Sequence, residues 1–165
     1  MIFGMTTFTF VHVAVSLVGI GSGLVVLRGL LTGKRLDGWT ALFLVTTVAT
    51  SVTGFGFPFG QLLPSHKVGI LSLVLLAVAI VARYPLHLAG AWRWIYAVCA
   101  VISLYLNVFV GIVQAFRKVD ALQALAPTQT EPPFAITQLV VLVLFGVLAV
   151  RAAIKFRTQP VVHLP

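Results

Sequence analysis

The chain has 165 residues, 60% of them hydrophobic and only 8% charged, with 11 Lys and Arg against 3 Asp and Glu for a net charge of +8. A soluble globular domain carries about 25% charged residues, so a water-facing surface is excluded; the mean hydropathy of +1.11 calls for lipid as the main solvent. The positive balance does not mark a nucleic-acid partner, because the cations form no patch and instead bracket the apolar runs as topology signals do.

The length leaves room for one membrane domain over residues 1–165 and no separate soluble domain. The expected fold is all-α: a polytopic integral membrane protein, a bundle of about five transmembrane helices. The spans are expected over about 7–28, 38–57, 65–84, 92–116 and 133–154, with outer loops at 58–64 and 117–132. The single cysteine, Cys99, excludes an intrachain disulfide and a zinc cluster.

The first run extends from Thr7 to Leu27 and ends at Arg28. No positive charge precedes it, so it lacks the first element of a signal peptide and reads as an uncleaved span. His12, Ser16, Gly19 and Gly23 share one of its faces. The Gly19–Gly23 spacing lets another helix approach closely, either inside this bundle or from a membrane-protein partner or second copy. A basic, glycine-punctuated loop over residues 32–38 leads to Trp39 at the interface. The second span carries Thr46, Thr50 and Thr53 on one face, threonines that are cheap to bury when they bond back to their own helix.

Glycines, prolines and three phenylalanines between Gly54 and Pro64 end that helix. Ser65 is placed to cap the third span, with His66 and Lys67 in its first turn. That span closes near Arg83, and His87 and Arg93 fall in the short loop that follows.

The fourth run, Trp92–Lys118, carries the amide of Asn107 in its middle. At 100° per residue, Tyr96, Ala100, Ser103, Asn107, Gly111, Gln114 and Lys118 fall on one face, so this helix has an inside and an outside. An unbroken helix from Trp92 to Ala126 would be about 52 Å long, well beyond the hydrocarbon thickness, so its end is expected to kink or lie on the surface. A polar, proline-rich loop follows, with Thr130 as an N-cap and Glu131 near the positive end of the last helix.

Counting charge sets the orientation. With the N-terminus outside, eight basic residues (Arg28, Lys34, Arg35, Arg83, Arg93, Arg151, Lys155, Arg157) lie inside and three (Lys67, Arg117, Lys118) outside. The positive-inside rule therefore puts the N-terminus outside and the C-terminus on the cytoplasmic side, and the expected location is a bacterial inner (plasma) membrane, crossed several times. The same frame puts His12 about one turn, and Asn107 about two turns, below the outer surface.

Polar groups then gather in the outer half. His12, Thr53, His66, Lys67, Asn107, Gln114, Arg117, Lys118 and Gln138 are the candidate ligand-binding residues. Intramembrane polar groups mark either a functional site or interhelical packing. The functional reading is a binding or accessory protein for a lipid, a quinone or a small anion. The alternatives are a membrane redox or lipid-modifying enzyme and a structural subunit that docks partner helices. If the first and third spans are neighbours, His12 and His66 form a bis-histidine pair, an arrangement similar to small cytochrome-b-like bundles, in which histidines on neighbouring helices hold haem. With no Asp or Glu inside any span, a carboxylate proton relay is not expected. The outer loops 55–64 and 117–133 are expected to meet as a lid over the polar groups.

Overall fold

The structure, a computed structural model, describes residues 6–57 and 64–157. Six helices follow one another: α1 (Thr7–Leu31), α2 (Asp37–Gly54), α3 (Pro64–Arg83), α4 (Trp92–Lys118), α5 (Asp120–Leu125) and α6 (Pro132–Arg157). No strand occurs among the described residues. The protein is an all-helical membrane bundle.

Four stretches are long and apolar enough to cross a membrane: Thr7–Leu31, His66–Arg83, Trp92–Lys118 and Pro132–Phe156. The helix that falls short of the expected five is α2. Its 18 residues include Asp37, five threonines and a serine, and they extend only about 27 Å. It is not peripheral, however. Leu36 meets Gly29, Phe43 meets Gly23, Thr47 meets Gly19 and Thr53 bonds His12. These contacts run antiparallel along about 26 Å of α1, and α1 is one of the membrane-length helices. Two of its hydroxyls are cheap to bury because they bond back to the helix: Thr46 donates to the Leu42 carbonyl at 2.7 Å and Thr53 to the Ala49 carbonyl at 2.7 Å.

The turn from α1 to α2 is set by Gly33. Its φ of +70° is a left-handed conformation that glycine adopts without a Cβ penalty. There the Lys34 amide donates to the Gly29 carbonyl at 2.8 Å and the Gly33 amide to Leu30 at 3.3 Å, a paired closure that satisfies the last carbonyls of α1.

α4 touches α1, α2, α3 and α6 and so forms the axis of the bundle. Its inward face carries Tyr96, Ala97, Ala100, Val101, Ser103 and Leu104, all buried. Around it gather Val26, Leu27 and Leu30 of α1, Phe43 and Leu44 of α2, Leu76, Ala79 and Ala82 of α3, and Phe145, Ala149, Ala152 and Phe156 of α6. This apolar core occupies the half of the bundle at the Arg83 end. Gly23 shows how tightly it closes: a Cβ there would lie 2.5 Å from Leu104 and 2.9 Å from the Phe43 ring. Gly19 and Gly23 of α1 thus face side chains of α2 and α4 of the same chain.

At its other end α4 stops at Lys118, where Val119 takes an extended conformation with ψ 112°. α5 then packs on α4. The loop after α5 returns to α4, with the Gln129 amide donating to the Val113 carbonyl at 2.9 Å. This break is how a helix pattern too long for the bilayer is accommodated. The Glu131 carboxylate closes the loop by accepting from the Thr128 hydroxyl at 2.8 Å and from the Thr128 and Thr130 amides at 3.1 Å each.

Candidate functional site

Toward the N-terminal end of α1, the candidate residues fall into separate layers. The first is built on His12. Its Nδ1 lies 2.7 Å from Thr53 Oγ1, and the Thr53 hydroxyl spends its only hydrogen on the Ala49 carbonyl at 2.7 Å. With that hydrogen committed to the carbonyl, the shared contact takes Nδ1–H as donor and Thr53 as acceptor, an arrangement that in the neutral ring leaves Nε2 with its lone pair. The ring stands edge-on to Phe57 (centroids 5.1 Å apart, planes at 87°), and Phe57 in turn meets Phe8 at 5.1 Å. His12 is half-buried, so a neutral acceptor sits in an aromatic setting near the lipid.

His66 is buried and stacks on Phe55, centroids 5.4 Å apart and planes at 26°. Its stacking partner Phe55 follows α2, whereas His12 meets Thr53 and Phe57; α2 packs against both α1 and α3. Among the described residues, no three His, Cys, Asp or Glu side chains come together in a way that could hold a metal ion.

A second layer lies seven residues further along α1, about 10 Å away. Asn107 Nδ2 donates to Thr47 Oγ1 at 3.4 Å. The amide fits because residue 19 is glycine: a Cβ there would be 3.2 Å from Asn107 Nδ2 and 3.3 Å from Thr46 Oγ1. This layer is a junction of α1, α2 and α4. A third contact joins α6 to α4, where buried Gln138 donates from Nε2 to the Phe109 carbonyl at 3.3 Å while its Oε1 has no partner.

The remaining candidates do not converge on these layers. Lys67, Gln114, Arg117 and Lys118 are exposed. Beyond Asn107 the polar face of α4 is exposed at Gly111, Gln114 and Lys118, although a Cβ at Gly111 would still meet Ile20 of α1 at 3.6 Å. Of the expected lid, residues 58–63 lie outside the described residues, and the described loop after α5 folds onto α4.

The end of the bundle where α3 closes and α2 begins holds a polar cluster that the reading of the sequence missed. Arg83, in the last turn of α3, is only 4% exposed. Its Nη2 donates to Oδ1 of Asp37 at the start of α2, and its guanidinium lies 5.3 Å from the Tyr96 ring and 5.9 Å from the Tyr84 ring. Arg35 approaches the same carboxylate at 3.8 Å. The sequence did carry a signal. Asp37 opens one helix and Arg83 closes its antiparallel neighbour, so the two meet at one end of the bundle. Each charge also suits its helix terminus, the carboxylate at an N-terminus and the guanidinium at a C-terminus.

No protein-family model, curated protein or solved structure matches the chain.

Proposed function

We propose that the chain is a binding or accessory protein of a bacterial-type plasma membrane, crossing it five times with its N-terminus outside and its C-terminus cytoplasmic, and that it holds a hydroxylated apolar ligand against His12. The observation that carries this reading is the His12–Thr53–Ala49 relay, which leaves Nε2 as a hydrogen-bond acceptor beside Phe57. An acceptor in an apolar setting selects a ligand with an O–H donor on a hydrophobic body. A quinol or a lipid hydroxyl meets that demand. An oxidised quinone, which offers only carbonyl acceptors, does not, and a small anion would face the lone pair unfavourably. Lys67, Arg117 and Lys118, the cations that would suit an anion, stand exposed and apart from this layer.

The test is binding of a short-chain ubiquinol and of its quinone to the purified full chain under anaerobic conditions. The reduced form should bind about tenfold more tightly, the worth of one hydrogen bond against an unpaired acceptor, and His12→Phe should abolish the difference. Equal binding of the two forms, or an unchanged preference in His12→Phe, would overturn the reading. A second reading is supported by the mutual hydrogen bonds of Asn107 with Thr47 and of Gln138 with Phe109: the deeper polar groups fix helix packing, and the protein acts as a structural subunit. Absence of both quinol and lipid binding would favour it.

A further inference from the structure

From the opposite end of the bundle, we infer a second site, for the phosphate of an anionic phospholipid of the inner leaflet, formed by Lys34, Arg35, Arg83 and Tyr96. These side chains line a hollow that is open on one side. Val26 and Leu30 of α1 and Phe156 of α6 supply its apolar walls. The hollow is shallow. A ligand would therefore rest at the mouth, with its phosphate beside the cations and its chains against the apolar helices.

Two independent observations point to an anion. The first is charge: three cations, Lys34, Arg35 and Arg83, face one carboxylate, Asp37, leaving two positive charges in excess. Lys34 has no carboxylate within 4.0 Å among the described residues, and Arg35 reaches Asp37 only at 3.8 Å. The second is the Tyr96 hydroxyl. Tyr96 is 1% exposed, its oxygen lies beside Thr40 and Arg83, and it makes no hydrogen bond of ordinary geometry. A buried hydroxyl without a partner costs about 1–3 kcal/mol, and this one lines the hollow. A phosphate oxygen would give it an acceptor once the Arg83 guanidinium, which lies over its ring, turns aside and opens the hollow toward the hydroxyl. Basic recesses between helices on the cytoplasmic side are suited to lipid phosphates, each nearby Lys or Arg contributing about 1 kcal/mol. The site is independent of His12, which lies at the other end of α1.

Native mass spectrometry of the full chain, released from micelles containing phosphatidylglycerol or phosphatidylcholine, tests the inference. Wild type should retain phosphatidylglycerol in preference. Lys34→Ala/Arg35→Ala alters two exposed side chains and keeps the fold, and should weaken that retention on the order of 25-fold. Tyr96→Phe should weaken it about tenfold without lowering thermal stability, since it removes an unpartnered hydroxyl. Equal retention of the two lipids, or wild-type retention by the double variant, would overturn the site. Undiminished retention in Tyr96→Phe would overturn the role of the hydroxyl. Displacement of the lipid by excess inorganic phosphate would overturn the lipid as the natural source of the anion.

Discussion

Replacing Asp37 with asparagine probes the inner end of the bundle most sharply. The change keeps the side chain's shape and removes the charge opposite Arg83. Removing one partner of a fully buried ion pair costs about 3–5 kcal/mol, because the other charge is left uncompensated. Here the burial is one-sided: the Arg83 side chain is 3% exposed and that of Asp37 is 72% exposed. Water already screens the carboxylate, so the expected loss is smaller, about 2 kcal/mol. The contacts of Arg83 with Tyr84 and Tyr96 persist and limit the loss further, each worth about 0.5–1 kcal/mol. A loss of 2 kcal/mol shifts the folding equilibrium about 30-fold. The assay is denaturation of the purified chain in mixed micelles followed by tryptophan fluorescence, on wild type, Asp37→Asn, Arg83→Gln and the double variant. The double variant should be more stable than the sum of the single losses implies, by about 1 kcal/mol or more. If Asp37→Asn stayed within about 0.5 kcal/mol of wild type, or if the two losses simply added, the pair would not be clamping α2 to α3.

Three further outcomes follow from the packing. A Cβ at Gly23 would meet Leu104 at 2.5 Å and Phe43 at 2.9 Å, one at Gly19 would meet Asn107 at 3.2 Å, and one at Gly21 would meet nothing within 4 Å. In the same denaturation assay, Gly23→Ala should therefore lose about 1–3 kcal/mol, Gly19→Ala less, and Gly21→Ala should gain up to about 1 kcal/mol from helix propensity; any other order would show that α1 is packed differently. Asn107→Leu should lose about 1 kcal/mol, because it removes the bond to Thr47 and crowds Gly19, and a stabilised variant would contradict the junction. A reporter active only outside the cytoplasm should work when fused after Thr128 and fail when fused after Pro165, and the reverse pattern would invert the orientation and the assignment of the outer half.

The helical class was legible because composition alone decides it. So few charges cannot clothe a soluble fold, and only helices satisfy their own backbone within one apolar segment. The inward face of α4 was legible from Tyr96 to Asn107, where the spacing of polar and small residues coincides with packing against α1, α2 and α3. It failed at Gln114 and Lys118, which are exposed, because periodicity marks a face but not how far along it neighbouring side chains cover it. The same limit explains His12 and His66. Their depth follows from counting residues, but whether α1 adjoins α3 depends on helix arrangement, and a single chain pattern does not encode it. Thr53 was placed on the correct face, yet its role as the acceptor that orients His12 emerges only once α1 and α2 lie antiparallel. Arg83 was read as a topology marker, since a basic residue at a helix end normally reaches for the interface. Its burial comes from Asp37, 46 positions earlier, a pairing visible only when the two helix ends are set side by side.

The tautomer of His12 tests the central claim most directly. In a chain labelled with ¹⁵N-histidine, with the His12 signals assigned through a His12→Phe variant, the two ring nitrogens report their protons separately. The account predicts a protonated Nδ1 and a bare Nε2, with the Nε2 signal moving on addition of a short-chain ubiquinol and staying in place with the quinone. A proton on Nε2 in the ligand-free chain, or an Nε2 signal indifferent to the quinol, would contradict it.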